Sequence, residues 1–209
     1  MERTAPRHFS MVREFHLADF FTLGNAACGV GAILLAMLFM ASGHRGHFLA
    51  AAALAPAAFI LDVLDGRIAR ARHTHSALGR ELDSLSDVIS FGMAPAALGF
   101  AAGLQGGWDA AALIYFVCCG VSRLARYNVT AETLADDASG KVKYFEGTPI
   151  PTSIVLVIML GIAQYLGHVD DNIWFGAVKI GPALLHPLTI VYGLSGSAMI
   201  SATLRIPKP

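Results

Sequence analysis

Residues 20–44 read FFTLGNAACGVGAILLAMLFMASGH, a stretch without a single Asp, Glu, Lys or Arg. As a helix rising ~1.5 Å per residue it reaches about 37 Å, more than the ~30 Å hydrocarbon core of a bilayer. The run is too long for the apolar centre of a signal peptide, and no small-residue cleavage site follows it. It reads as a membrane-spanning helix.

The rest of the chain agrees. Of its 209 residues 55% are hydrophobic and 14% charged, and the mean hydropathy is +0.58. A soluble domain carries about 25% charge, so the composition argues against a soluble enzyme and against a disordered chain. Fifteen Lys and Arg balance fifteen Asp and Glu. That leaves no basic excess for phosphates and speaks against a nucleic-acid partner. Further uncharged runs cover 88–108, 147–169 and 180–204, while shorter ones at 46–61 and 110–122 end in charge.

The expected fold is therefore all-α and integral to the membrane, with six transmembrane helices at 19–42, 47–71, 78–103, 108–129, 150–168 and 181–204. They form one membrane domain over 19–209. Ahead of it, residues 1–18 place Phe9, Val12, Phe15 and Leu17 at helical spacing among Arg and His. This pattern predicts an amphipathic helix lying at the interface. Threading six spans puts thirteen Lys and Arg on one side and only Arg45 and Lys179 on the other. By the positive-inside bias both termini are expected in the cytoplasm. Cys28, Cys118 and Cys119 sit in apolar runs and read as packing residues. The eight histidines form no ligand pattern.

Against this apolar background, Asp62, Asp65, Asp83 and Asp87 stand out. Asp62 and Asp65 are i, i+3 and Asp83 and Asp87 are i, i+4, so each pair shares one helical face. The short connection 71–78 makes the two helices antiparallel neighbours, and the four carboxylates can converge. An aspartate at the centre of a membrane helix costs about 2.5–3.5 kcal/mol. Two divalent cations would cancel four carboxylates, and oxygen-only ligation favours Mg²⁺ or Mn²⁺. Pairing with Arg67, Arg70, Arg72 or Arg80 is the alternative for any single aspartate.

Positions 62–87 read Asp62-x2-Asp65-Gly66-x2-Ala69-Arg70-x8-Gly79-x3-Asp83-x3-Asp87. This pattern resembles the signature of the CDP-alcohol phosphatidyltransferases, membrane enzymes with six transmembrane helices. The resemblance implies that Asp62, Asp65 and Asp83 hold one metal, that Asp87 helps hold a second, and that Asp87 is also the general base. It further implies that Gly66, Ala69, Arg70 and Gly79 line the pocket for the CDP-lipid. The residue types suit those roles: Gly66 lets a nucleotide approach the backbone, Ala69 keeps the face shallow, and Arg70 offers a planar donor fork.

Two more segments bear on the acceptor alcohol. Residues 123–128, RLARYN, close the fourth span, and 144–151, YFEGTPIP, open the fifth. With Thr22-Leu-Gly-Asn25 on the first span, they resemble the phosphatidylserine synthases of the membrane-embedded bacterial type. That implies CDP-diacylglycerol and L-serine as substrates, a homodimer, and an active site on the cytoplasmic side of a prokaryotic membrane. Arg123, Arg126 and Lys143 could hold the serine carboxylate or the diphosphate, or could simply snorkel to the interface. Glu146 could accept the serine ammonium or form an interfacial ion pair, and Gly147 lets the loop turn against the pocket. Asn25 could contact the nucleotide or hydrogen-bond between helices. The rival readings are the same chemistry on glycerol 3-phosphate or an inositol phosphate and, from another class, a cation-coupled transporter.

Overall fold

The computed structural model describes residues 17–72, 77–136, 144–201, 203 and 205–207; the expected interfacial helix, up to residue 16, lies outside them. Two long helices open the described chain, α1 (Leu17–Ser42) and α2 (Arg45–Arg72). Gly43, at φ +66°, closes α1 by donating its N–H to Phe39 O at 2.8 Å and turns the chain straight into α2. Small residues meet where the two helices pack: Ala32 and Ala36 on α1, and Ala51, Ala55 and Ala58 on α2, are buried. Without large side chains the backbones can approach closely, the usual device of helices packed in lipid. Phe39 and Phe48 lock the turn end edge to face, with ring centroids 5.1 Å apart.

The third span is continuous but not uniform. It runs as α3 (Ala77–Asp87), a π-helical turn at Val88–Met93, and α4 (Ala94–Ala101). In the π turn Ala94 N–H reaches back to Ile89 O, five residues away. The Ser153 hydroxyl donates to Phe91 O at 2.6 Å, so that carbonyl is satisfied from another helix. After α5 (Gly107–Asp136) come β1 (Tyr144–Glu146), a 3₁₀ turn at Ile150–Ser153 and α6 (Ile154–Leu166). A small hairpin, β2 (Val178–Ile180) with β3 (Ala183–Leu185), precedes α7 (Ile190–Ile200). Last is β4 (Arg205–Pro207), which pairs antiparallel with β1, Glu146 opposite Arg205 and Tyr144 opposite Pro207.

Among the described residues four helical stretches are long and apolar enough to cross a membrane: Leu17–Ser42, Arg45–Ile68, Leu78–Ala101 and Gly107–Val129. The last two apolar helical segments, Ile150–Leu166 and Pro187–Ile200, are shorter. The sequence reading placed a helix over 181–204; the helix is α7 alone, and residues 178–185 form the hairpin instead. Its turn is built on Gly181 at φ +60°. Pro182 and Pro187 offer no backbone N–H to a helix, which delays regular α structure until residue 190.

Large apolar side chains point outward along the bundle. Phe20, Met37, Ile60, Ile114, Val155 and Leu194 are each more than half exposed, a distribution suited to lipid and adverse in water. Inside, Phe91, Leu98, Phe116, Leu160, Tyr192 and Met199 are fully buried. Tyr192 packs edge to face on Phe116 and donates its hydroxyl to Pro95 O at 2.8 Å, which ties α7 to α4.

A polar clasp closes the end of the bundle where α5 begins. Asp109 is completely buried. Its carboxylate accepts from the backbone N–H of Gly106 and of His186, both at 2.8 Å, and from the Thr189 hydroxyl at 2.7 Å. The His186 ring nitrogen Nδ1 lies 2.5 Å from the same carboxylate. The helix N-terminus beside it adds a favourable field for negative charge.

Candidate active site

The four aspartates occupy the second half of α2 and the second half of α3. Their convergence is real for three of them: one carboxylate oxygen from each of Asp62, Asp83 and Asp87 lies within 4.8 Å of the others. Asp87 is buried, while Asp62 and Asp83 are partly so. Like charges at that separation repel by about 3 kcal/mol per pair at an effective dielectric near 20. A cation held between them converts the repulsion into attraction.

The donor set fits a hard divalent ion. All three groups are carboxylates; among the described residues no sulfur or imidazole joins them, and the buried Oδ1 of Asp83 has no hydrogen-bond partner. A buried carboxylate oxygen without a donor is costly unless a cation supplies its missing partner.

Asp65 sits differently. It is buried at 5% exposure and outside the close trio, with its Oδ2 accepting the Thr22 hydroxyl at 2.7 Å. The other predicted residue on α1, Asn25, is wholly buried. Its amide nitrogen stands 3.4 Å from Asp87 Oδ1, and its own Oδ1 has no partner among the described residues.

Helix α1 carries none of the four aspartates, yet it sets the register of α3. The Ser86 hydroxyl donates to Thr22 O and the Ser90 hydroxyl to Asn25 O, each at 2.8 Å. These serines flank Asp87 at i−1 and i+3, so the two bonds fix the turn that carries it. Gly29 continues the α1 stripe, and an added Cβ there would meet Ser90 Oγ at 2.5 Å and Ser90 Cα at 2.8 Å. Sequence reasoning named Thr22 only as the start of Thr22-Leu-Gly-Asn25, with no role of its own, and passed over Ser86 and Ser90. Their signal was present in the spacing: Thr22, Asn25 and Gly29 make one stripe of small and polar residues on α1, and Ser86 on α3 and Ser90 in the π turn are i, i+4.

Of the residues expected to meet the acceptor alcohol, Arg123 of α5 is buried at 9% exposure. It interacts electrostatically with Asp87, and its Nε has no hydrogen-bond partner among the described residues. Arg126 goes elsewhere: it is exposed, and its Nη2 donates to Ile200 O at 3.3 Å, capping the end of α7. A Ser84–Asn128 pair, Asn128 Nδ2 donating at 3.0 Å, joins α3 to α5 nearby.

Gly147 is buried with φ +73°. A Cβ there would strike the carbonyl of Met199, and the neighbouring Thr148 N–H donates to Ala198 O at 3.1 Å. Glu146 lies in β1. Gly66 follows Asp65 on α2 and Gly79 precedes Asp83 by one turn on α3, both partly exposed. Lys143 and the side chains of Ala69, Arg70 and Glu146 lie outside the described residues.

The pattern of the CDP-alcohol phosphatidyltransferase family matches residues 15–191, and the chain belongs to that family. Over 214 aligned residues it is 44% identical to a Saccharomyces cerevisiae protein named CDP-diacylglycerol–serine O-phosphatidyltransferase, covering 97% of this chain and 74% of the yeast protein. Proteins of the same name from Helicobacter pylori and Mycobacterium leprae are 43% and 45% identical over 124 and 114 residues. Those matches cover 58% and 53% of this chain, and 49% and 37% of the relatives. Family and apolar helices together make this an integral membrane protein.

Proposed function

We propose that the chain transfers a phosphatidyl group from CDP-diacylglycerol to L-serine, giving phosphatidylserine and CMP. The observation that carries the reading is the near-complete match to a relative of that name. It is joined to a partly buried acidic cluster built from residues of the family signature.

Asp62, Asp65, Asp83 and Asp87 would hold two divalent cations, Mg²⁺ or Mn²⁺, which when bound would neutralise charge on the phosphoryl oxygens and on departing CMP. Asp87 takes the proton of the serine hydroxyl on a carboxylate oxygen. The serine oxygen then bonds to the phosphorus that carries diacylglycerol, and the bond from that phosphorus to the CMP oxygen breaks. Asn25 steadies Asp87 from α1. Gly66, Ala69, Arg70 and Gly79 admit the nucleotide against α2 and α3.

Arg123, buried and with donor capacity to spare, receives the serine carboxylate. Arg126, Lys143, Glu146 and Gly147 shape the rest of the acceptor side, Arg126 and Gly147 through the end of α7. We read α6 and α7 as completing six spans with both termini in the cytoplasm. The site then faces the cytoplasmic side, where serine is dissolved and the lipid donor arrives from the adjoining leaflet. By family resemblance the protein works as a homodimer.

The test is CMP release by purified protein in detergent micelles, with Mg²⁺ or Mn²⁺, CDP-diacylglycerol and one alcohol at a time. L-Serine alone is expected to support release, and Asp87→Asn to lower kcat by about 10²–10⁴-fold, the range of a lost general base. Release with glycerol 3-phosphate or an inositol phosphate in place of serine would overturn the acceptor and keep the family chemistry.

A further inference from the structure

We propose that Thr22 is a positioning residue for the acidic cluster, fixing Asp65 from α1, a neighbouring helix that contributes none of the four aspartates. The proposal rests on reading the cluster as a divalent-cation site. Thr22 is buried at 3% exposure and bonds in two directions. Its hydroxyl lies 2.7 Å from Asp65 Oδ2 on α2, and its backbone carbonyl accepts the Ser86 hydroxyl on α3 at 2.8 Å. It thereby joins both aspartate-bearing helices, next to Asp87 on one and at Asp65 on the other.

The hydroxyl has one proton and two acceptors within reach. Ala18 O, one turn back on its own helix, lies at 3.2 Å. A helical threonine ordinarily returns its hydroxyl to that carbonyl. Here the carboxylate is nearer, and a charged acceptor binds a proton more strongly than a neutral one. The bond to Asp65 is thus the one the geometry favours.

Asp65 is also the aspartate that stands apart from the close trio. A carboxylate free to turn about its last torsion presents either oxygen, or neither, to a cation. One oxygen committed to Thr22 sets the plane of the group. Partners of this kind, one bond removed from a metal, alter affinity by about 10–100-fold when lost.

The experiment titrates Mn²⁺ alone into the purified protein in micelles and reads free Mn²⁺ by electron paramagnetic resonance, with no substrate present. Thr22→Val keeps the shape and removes the hydroxyl, whereas Thr22→Ser keeps the hydroxyl. Thr22→Ala is a second hydroxyl-free variant in case Val does not fold, and the thermal midpoint without metal reports folding for each. The expected result is a 10–100-fold weaker Mn²⁺ affinity for Val or Ala and a value within about threefold of the parent for Ser. The metal concentration for half-maximal CMP release should rise in step, with kcat at saturating metal largely kept.

Equal affinity for Val and the parent would overturn the role of Thr22. So would equal losses for Val and Ser, since packing rather than the hydroxyl would then be responsible. If the parent binds no Mn²⁺, or Asp83→Asn binds it as tightly as the parent, the cation-site reading itself fails, and the role of Thr22 with it.

Discussion

Arg123 and Arg126 lie three residues apart on one stripe of α5, yet the fold sends them to different partners. Arg123 is buried within electrostatic range of Asp87, its Nε unengaged among the described residues, and Arg126 donates to the last carbonyl of α7. A buried guanidinium with unused donors is prepared for an anionic group, and a charge-assisted bond is worth about 1.5–3 kcal/mol. Arg123→Gln is accordingly expected to raise the KM for serine by about 10–100-fold, with the KM for CDP-diacylglycerol nearly unchanged. Steady-state kinetics with each substrate varied in turn would check it. The presence of both arginines was legible in the sequence. Which of them faces the site was not, because an i, i+3 pair has one direction on the helix, and only α3 and α7, folded against it, separate the two. For the same reason Asp65 read as equivalent to Asp62 until Thr22 came beside it.

Helices end and bend where local chemistry demands, and here the sequence was a good guide at one end of the chain and a poorer one at the other. The first four spans follow from uncharged runs because a bilayer tolerates little else. The start of α7 does not follow, because residues 180–189 are as apolar as a helix, while Gly181, Pro182 and Pro187 favour a hairpin and a late start. The π turn was likewise invisible: one extra residue in a turn leaves no mark in a run without charged residues to show its faces. Its consequence is measurable through Gly29, whose missing side chain makes room for Ser90. Gly29→Val should destabilise the protein by about 1–3 kcal/mol through overpacking. It should also lower kcat, since Ser90 is one of the two anchors that hold Asp87. Thermal unfolding in micelles, with CMP release measured on the folded fraction, would register both effects.

Across the whole molecule, the cluster on α2 and α3 and the clasp at Asp109 divide labour. Arg123 lies fourteen residues beyond Asp109 on the same helix, about 21 Å along its axis. Asp109→Ala would strand the Gly106 and His186 backbone donors and the Thr189 hydroxyl. It is expected to cost about 3 kcal/mol or more, seen as a lower thermal midpoint, while kcat below the unfolding transition stays near that of the parent. A matching loss of kcat at low temperature would show that the two ends are coupled.

The pairing of β4 with β1 carries its own consequence, in time rather than space. Glu146 emerges during synthesis well before Arg205, its partner in the ladder. At the ~5–20 residues per second of translation, the later strand follows by roughly 3–12 s. The aspartates of α2 and α3 are made long before either strand. A nascent chain therefore completes the acidic cluster on α2 and α3 first and braces the segment leading into α6 only when α7 and β4 arrive.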